Sequence, residues 1–238
     1  MNEAQAELAR TVRMYLRSRN SGALSTISSG FRGHPYTSSV AYILDEQARP
    51  IFLASHLAEH SANIAVDSRA SLLIADADEF GTQSGRRATV LGDVKALDAQ
   101  ASTALTALYT AAFPASLKFL SLGGFRFYII EPLAVRYIGG FGKICWLSRE
   151  DFQLPGTTHA NSQLIEVLNM QTRNSILQMA RTLSGTCTTD AEILSIDPDG
   201  VYLRVGKQCR RLEFPTVTSL DAGIVMTIKT LADSLIVP

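Results

Sequence analysis

The stretch that decides the fold is IFLASHLAEHSANIAVDSRASLLIA, residues 51–75. Its apolar ends, 51–54 and 70–75, are typical of strands, and between them Leu57 and Ile64 have the spacing of one helical face. A helix this short buries little surface alone, so it must pack across a sheet supplied by the rest of the chain. The stretch therefore predicts a strand, a short helix and a second strand within a larger sheet.

The amino end of this helix is a candidate anion site. The backbone N–H groups around residues 59–63 have no partner within the helix, and the side chains of His60, Ser61 and Asn63 add donors beside them. An ordinary helix cap is the structural alternative, and this segment does not decide between the two.

The surrounding sequence predicts a β domain at residues 1–150. Further strand-like runs lie at 22–28, 36–44, 88–96, 125–130 and 135–138. Turn-rich segments of hairpin length separate many of them, which favours an antiparallel barrel or sandwich with the short helix closing one end. Helices are expected at residues 4–19 and 99–113, the second ended by Pro114.

A second domain is predicted beyond a linker at residues 151–160. It comprises residues 161–238. Its elements are a helical region at 162–183 with a break near 172–174, strands at 192–196, 201–205 and 209–214, and a last helix at 220–235. Helices and short strands in this order indicate a small α+β domain.

Composition and charge argue against several classes of function. Lys and Arg together number 22, as do Asp and Glu, and no basic block is present, so nucleic-acid binding is not expected. No apolar run approaches the roughly 18 residues of a membrane span. The opening residues MNEAQAELAR lack the apolar core of a signal peptide, so a cytoplasmic protein with no membrane contact is expected.

Motifs for metals and nucleophiles are weak. The three cysteines have no CxxC spacing, which argues against a zinc knuckle and a disulfide framework. Residues 56–60 match the HxxEH pattern of zinc proteases, but His56 directly follows a strand and no further carboxylate ligand is evident. The serines have no Asp/His partner set. We therefore predict no metal site and assign no catalytic residue.

Four stretches carry a family resemblance: HPYTSSVAYILD, LASHLAEHSANIAVDSRASLLI, RRATVLGDV and FRFYIIEPLAVRYIGGFGKICWL. Together they resemble the flavin-binding split barrels of the pyridoxamine phosphate oxidase superfamily, and more closely its HugZ-like branch of haem-utilisation proteins. The resemblance implies a six-stranded antiparallel split barrel with flanking helices, followed by a small α+β domain. It also implies a homodimer with a groove for FMN or haem between the subunits.

The resemblance also implies cofactor contacts. FMN in the flavin-binding relatives lies against positions that match residues 37–42, 58–61 and 87–89 of this chain. Trp146 is a candidate stacking partner for the ring, although tryptophans are more often core residues. The predicted cofactor-binding residues are Ser38, Ser39, Val40, His60, Ser61, Asn63, Arg87, Thr89 and Trp146.

The chain departs from the flavin-binding pattern at the phosphate. Pyridoxamine phosphate oxidases hold the FMN phosphate with arginine and lysine side chains, whereas the matching positions here are Thr37, Tyr42, Glu59 and His60. Glu59 would repel a phosphate, and only His60, partly charged near neutral pH, would offset it. The substrate motif that closes those oxidases is also missing, so vitamin B6 oxidation is not expected.

The candidates for a haem ligand are few. HugZ-like relatives often carry histidines where this chain reads IEVLNMQTRNSI, residues 165–176, and no histidine follows His159. Haem binding would use His34, His56, His60 or His159, or else a Cys or Tyr. Two functions remain open: a flavin- or haem-binding oxidoreductase of haem utilisation, and a non-catalytic binding or regulatory module that has lost the cofactor.

Overall fold

The computed structural model describes residues 2–76, 85–98, 103–139, 144–154, 162–185, 188–221 and 223–235. The helices are α1 Glu3–Arg17, α2 Glu59–Val66, α3 Thr103–Ala112, α4 Ser116–Leu122, α5 Arg149–Phe152, α6 Ser162–Gln171, α7 Arg173–Ser184 and α8 Ile224–Ser234. The strands are β1 Ser21–Ile27, β2 Pro35–Leu44, β3 Pro50–Ser55, β4 Arg69–Ala75, β5 Arg87–Ala96, β6 Phe125–Ile138, β7 Ile144–Ser148, β8 Ala191–Asp197, β9 Gly200–Val205 and β10 Gln208–Glu213.

Packing divides the chain into two units. The first unit comprises Met1–Gln100 with Lys118–Pro155, and the second unit comprises Ala101–Leu117 with Gly156–Pro238. No helix in the described ranges is both long and apolar enough to cross a membrane.

The first unit is a closed antiparallel barrel of six strands. They follow the order β3-β2-β1-β4-β5-β6, with β3 pairing back to β6, and β7 extends the sheet beyond β6. The predicted six-stranded split barrel is therefore confirmed. Strand β7 was not predicted, because its residues are mostly exposed and directly follow a glycine-rich segment.

Strand alternation forms the barrel core. Leu24, Leu72, Val90 and Val135 all point inward and are fully buried. Helix α1 packs in the same core cluster through residues such as Leu16, whose carbonyl oxygen accepts a 2.7 Å hydrogen bond from the hydroxyl group of a core tyrosine on β2. The inward-facing strand residues thus form the barrel core, and the outward-facing residues are the ones that can contact a ligand or partner.

Strand β6 is continuous over 14 residues, where the sequence predicted two strands at 125–130 and 135–138. The prediction was wrong because a β-bulge accommodates Pro132. This proline lies opposite Gly92, and the next residue, Leu133, is extra in the register against β5. A Cβ at Gly92 would lie 2.1 Å from a carbonyl oxygen of β6, so the close approach requires glycine.

The second unit packs helices on the three-stranded sheet β10-β9-β8. Residues such as Leu168, Met179, Leu203 and Ile228 are fully buried in its core. The predicted α+β character is confirmed, and so is the helix break, since α6 ends and α7 begins on either side of Thr172. The last helix starts four residues later than the predicted start at residue 220.

Two predicted boundaries differ from the packing. The linker predicted at residues 151–160 starts too early, because Phe152 belongs to the barrel core and Leu154 is buried. Residues 155–160 lie outside the described ranges. Helix α3, predicted within the β domain, groups with the second unit and contacts β8 and β10. The helix α4, which follows Pro114, was not predicted.

A buried ion pair joins two strands of the second unit. The two terminal nitrogens of Arg211 lie 2.7 and 2.9 Å from the carboxylate oxygens of Asp197, and the side chains are 9% and 1% exposed. Asp197 also accepts a 2.9 Å hydrogen bond from the amide of Asp199, and the guanidinium lies 4.7 Å from the ring centroid of Tyr202. The pair therefore fixes β10 against the turn between β8 and β9.

Replacing Arg211 with methionine should leave the Asp197 charge buried and uncompensated, and lower the free energy of unfolding of the second unit by about 3–5 kcal/mol. Denaturant unfolding followed by circular dichroism measures this loss, while fluorescence of Trp146, the only tryptophan, reports on the first unit. Arg210→Met, at an exposed neighbour, is the control and should change stability by less than about 0.5 kcal/mol. Equal midpoints for the two variants would contradict the role of the pair.

Candidate functional site

The outward-facing residues of the barrel form a row that crosses six strands. We call this the outer row. Its members lie directly opposite one another on β2, β1, β4, β5, β6 and β7, and are Ser39, Ala23, Leu73, Thr89, Arg136 and Trp146. Neighbouring strands are about 4.8 Å apart, so the row extends about 24 Å across the sheet. It brings together three of the predicted cofactor-binding residues, Ser39, Thr89 and Trp146.

Arg136 gives the outer row its charge. Its guanidinium lies 5.3 Å from the centroid of the Trp146 ring, a cation–π geometry. Trp146 is 55% exposed and Leu73 is 39% exposed, so an aromatic and an aliphatic surface face solvent together. Within the described ranges the side chain of Arg136 makes neither an ion pair nor a hydrogen bond. Arg136 was not predicted from the sequence, although its position between buried Val135 and Tyr137 signals an outward side chain.

The three predicted residues on β2 do not all lie on the same face of the strand. Ser39 belongs to the outer row, while Ser38 turns to the other side and its Oγ lies 2.9 Å from Nδ1 of His60. Val40, 7% exposed, lies in the barrel core. Because adjacent strand residues alternate between faces, these three side chains do not share one surface.

His60 is neutral near neutral pH. Burial lowers the pKa of its imidazole below the ordinary value of 6.5, and Nε2 is buried without a hydrogen-bond partner among the described residues. The edge of the ring faces Phe52, with 6.3 Å between the centroids. This burial disfavours the charged imidazolium, in contrast to the expectation that His60 is partly charged near neutral pH.

The other donors predicted at the helix start serve the fold. Asn63 is fully buried, donates a 3.0 Å hydrogen bond to Oγ1 of Thr26, and accepts hydrogen bonds from both the amide and the hydroxyl group of Ser29. The hydroxyl group of Ser61 is buried and has no hydrogen-bond partner among the described residues. Asn63 thus anchors α2 to β1, and its side chain is too buried to contact a ligand.

The start of α2 does not fit a phosphate group. The amides of Ser61 and Ala62 both donate to the carbonyl oxygen of Ala58, at 2.9 and 3.1 Å. The side chains at the helix tip are the exposed carboxylate of Glu59 and the neutral imidazole of His60. A phosphate dianion there would face a like charge with no basic side chain among these helix-start residues, so the helix tip by itself does not supply the ligands that the FMN phosphate has in the flavin-binding relatives.

Arg87 lies one outward position beyond Thr89 along β5, opposite Ala75 and Ile138. Its side chain is half-buried and donates a 3.3 Å hydrogen bond to the carbonyl oxygen of Gly85. Arg87 is therefore two residues from the outer row along β5, and the same face of the sheet carries both Arg87 and Arg136.

The remaining imidazoles lie away from the core. His56 precedes α2, as predicted from the sequence, and both its amide and its Nδ1 are within 2.9 Å of the carbonyl oxygen of Gly124. His34 is exposed next to the start of β2. His159, also considered as a haem ligand, lies outside the described residues. The exposed imidazoles of the described chain are thus His34 and His56.

A family model described as the CREG β-barrel matches residues 2–153. The chain belongs to the CREG β-barrel family. This CREG-family chain is 34% identical over 129 residues to the chloroplastic non-canonical heme oxygenase HOZ of Arabidopsis thaliana. The match covers 54% of the chain and only 39% of HOZ.

Solved structures share the fold of this CREG-family chain. Protein Atu2129 of Agrobacterium tumefaciens, of unknown function, has a TM-score of 0.69 at 23% identity and covers 96% of this chain and 94% of its own. A heme binding protein of Mycobacterium smegmatis has a TM-score of 0.55 at 26% identity, with coverage of 99% and 98%. The resemblance to split barrels recognised in the sequence is confirmed at the level of family and fold.

The buried imidazole of His60 should make stability depend on pH. Its pKa in the folded chain lies below 6.5, so the unfolded state binds more protons as the pH falls past that value, and the free energy of unfolding decreases. We expect denaturant unfolding to show a loss of stability between about pH 7.5 and about pH 5.5 that is smaller in His60→Gln. The control His34→Gln removes an exposed imidazole and should lose as much stability over this pH range as the natural chain. An NMR titration that placed the His60 pKa above 6.5 would contradict this account.

Proposed function

We propose that this chain binds a carboxylate-bearing tetrapyrrole, of which haem is the leading candidate, on the outer row between two copies of itself. The observation that carries the proposal is the guanidinium of Arg136, which has no ion pair or hydrogen bond with the described residues and lies over the exposed ring of Trp146. A tetrapyrrole presents a flat apolar macrocycle and carboxylate side chains. Trp146 and Leu73 provide apolar surface for the macrocycle, and Arg136 provides a planar hydrogen-bond donor for a carboxylate.

The named relatives support this class of ligand. HOZ is named as a heme oxygenase, and the M. smegmatis protein, 26% identical over nearly the whole chain, is named as heme binding. Haem, when bound, supplies oxidative chemistry, and the residues of the protein bind and orient it. We further propose that this chain acts as an oxidoreductase in haem utilisation. Within the described part of the chain, the imidazoles accessible to a ligand are those of His34 and His56, because Nε2 of His60 is buried.

A second copy of the chain is part of the proposal because the outward face remains exposed in a single chain. Besides Trp146 and Leu73, it carries Ile144 and the bulged Leu133, which are 56% and 69% exposed. Several large apolar side chains exposed on one face are typical of a subunit interface, and homo-oligomers most often pair the same surface with itself. A twofold arrangement would enclose a flat ligand between two outer rows.

Haemin should quench the fluorescence of Trp146 in a saturable way, and since this is the only tryptophan, the signal comes from a residue of the outer row. We expect Arg136→Leu to weaken haemin binding about tenfold, the usual effect of losing one charge-assisted hydrogen bond. Arg126→Leu removes an exposed arginine from the other half of the same strand and is the matched control.

Absence of quenching, or equal affinities for the two arginine variants, would contradict the assignment of the ligand to the outer row. Sedimentation equilibrium of the same samples tests the second copy. A species of 25.8 kDa at every concentration, with and without haemin, would contradict a site between subunits.

The alternative function, a non-catalytic module that has lost its flavin, is favoured by Glu59 at the helix tip. We expect the natural chain to leave FMN fluorescence unchanged, and Glu59→Arg to acquire measurable affinity because the substitution replaces a repelling charge with a phosphate ligand. Glu7→Arg, at an exposed position on α1, makes the same charge change away from the site and should not bind. FMN binding by the natural chain as tight as that of Glu59→Arg would show that the flavin site is retained. Failure of both FMN and haemin to bind the natural chain would favour the module over the tetrapyrrole.

A further inference from the structure

A cleft of about 420 Å³ lies within the second unit, between α3 and the three-stranded sheet. Its volume is within the range of sites for small molecules. All its lining residues belong to the second unit, so it is separate from the outer row.

One wall of the cleft is a helix face of small side chains. Ala107, Thr110 and Ala111 have the spacing of residues on one side of α3, and Leu117 continues the apolar wall beyond the helix. Because alanine side chains do not reach the sheet, space remains between the two elements. This wall offers methyl groups and a single hydroxyl group.

The opposite wall is the face of the sheet that points away from the core of the second unit. Leu194, 9% exposed, is its apolar floor, and Glu192 lies directly opposite Arg204 on the neighbouring strand. Gly206 and Lys207 form the turn that ends the wall. The cleft therefore has an apolar middle and a charged rim.

The charges on the rim are not equivalent. Arg204 lies 3.0 Å from a carboxylate oxygen of Glu192 and 3.0 Å from one of Asp190, so both acids already have a cation as partner. Lys207 is exposed and forms no ion pair or hydrogen bond within the described ranges. An anionic group entering the cleft is thus attracted to the Lys207 end and finds no free cation at the Glu192 end.

We propose that this cleft binds a small molecule with an apolar aliphatic body and one carboxylate, with the carboxylate at Lys207 and the body between α3 and Leu194. The inference does not depend on the function proposed for the barrel. The helix wall is formed by α3, which lies between β5 and β6 in the sequence, whereas the sheet wall is formed by strands that follow β7. Both walls are therefore present only in the full chain.

Octanoate is a suitable probe, with 1-octanol and octylammonium as probes of the same chain length that lack the negative charge. Calorimetric titration of the full chain should show binding of octanoate at least about tenfold tighter than that of either analogue, as expected for a charge-assisted contact. Lys207→Gln should remove this preference, whereas Lys229→Gln, at an exposed position on α8, should retain it.

A second variant tests the location. Ala111→Leu places a larger side chain in the cleft while keeping a strong helix former, so it should abolish binding without unfolding α3. Ala115→Leu, at an exposed residue outside the lining, is its control, and amide shifts at Gly206 in the NMR spectrum of the natural chain should follow the octanoate titration. Equal binding of the three probes, binding that survives Ala111→Leu, or no binding of octanoate would overturn the proposal.

Discussion

The fold of the first unit depends on β6 changing partner along one of its edges. Along the other edge it pairs with β5 throughout. On the edge that changes, the first half of β6 bonds to β3 and closes the barrel, while the second half bonds to β7, with the bulge at Leu133 between them. If this edge paired with β3 alone, β7 would be unpaired and Trp146 would lose its place beside Arg136. The change of partner thus opens the barrel wall into a broad outward face.

The outward face and the helix tip offer different chemistry to a ligand. Around α2, Asn63 is hydrogen-bonded within the fold and Glu59 carries a charge that would repel a phosphate, while Nε2 of His60 and the hydroxyl group of Ser61 are buried without a hydrogen-bond partner among the described residues. On the outer row the guanidinium of Arg136 lies over the exposed ring of Trp146. The two regions therefore differ in charge, with a carboxylate at the helix tip and an arginine on the outer row.

Much of the fold could be predicted from sequence because strand alternation and turn residues are local signals. The barrel strands, the helix break at Thr172 and the three strands of the second unit follow from them. The bulge at Pro132 and the five-residue β7 could not be found, since both depend on which strand pairs with which. Buried Phe152 was hidden among polar neighbours that looked like a linker.

The candidate site was less accessible to sequence reasoning. Position along the chain suggested Ser38, Ser39 and Val40 as one group, but the pleat of β2 sends them to different faces. Arg136 and Leu73 are far apart in sequence and meet only through the register of β4, β5 and β6. The charge state of His60 likewise depends on burial, which no local motif records.

The assignment of α3 to the second unit has a topological consequence. The polypeptide passes from the first unit to the second, returns, and passes again, so neither unit is one uninterrupted length of chain. Severing the backbone once after Pro155 would leave α3 attached to the barrel and deprive the sheet of the helix that covers it. The segments of the two units therefore alternate along the chain. Neither unit can be inherited, deleted or exchanged as one continuous terminal segment.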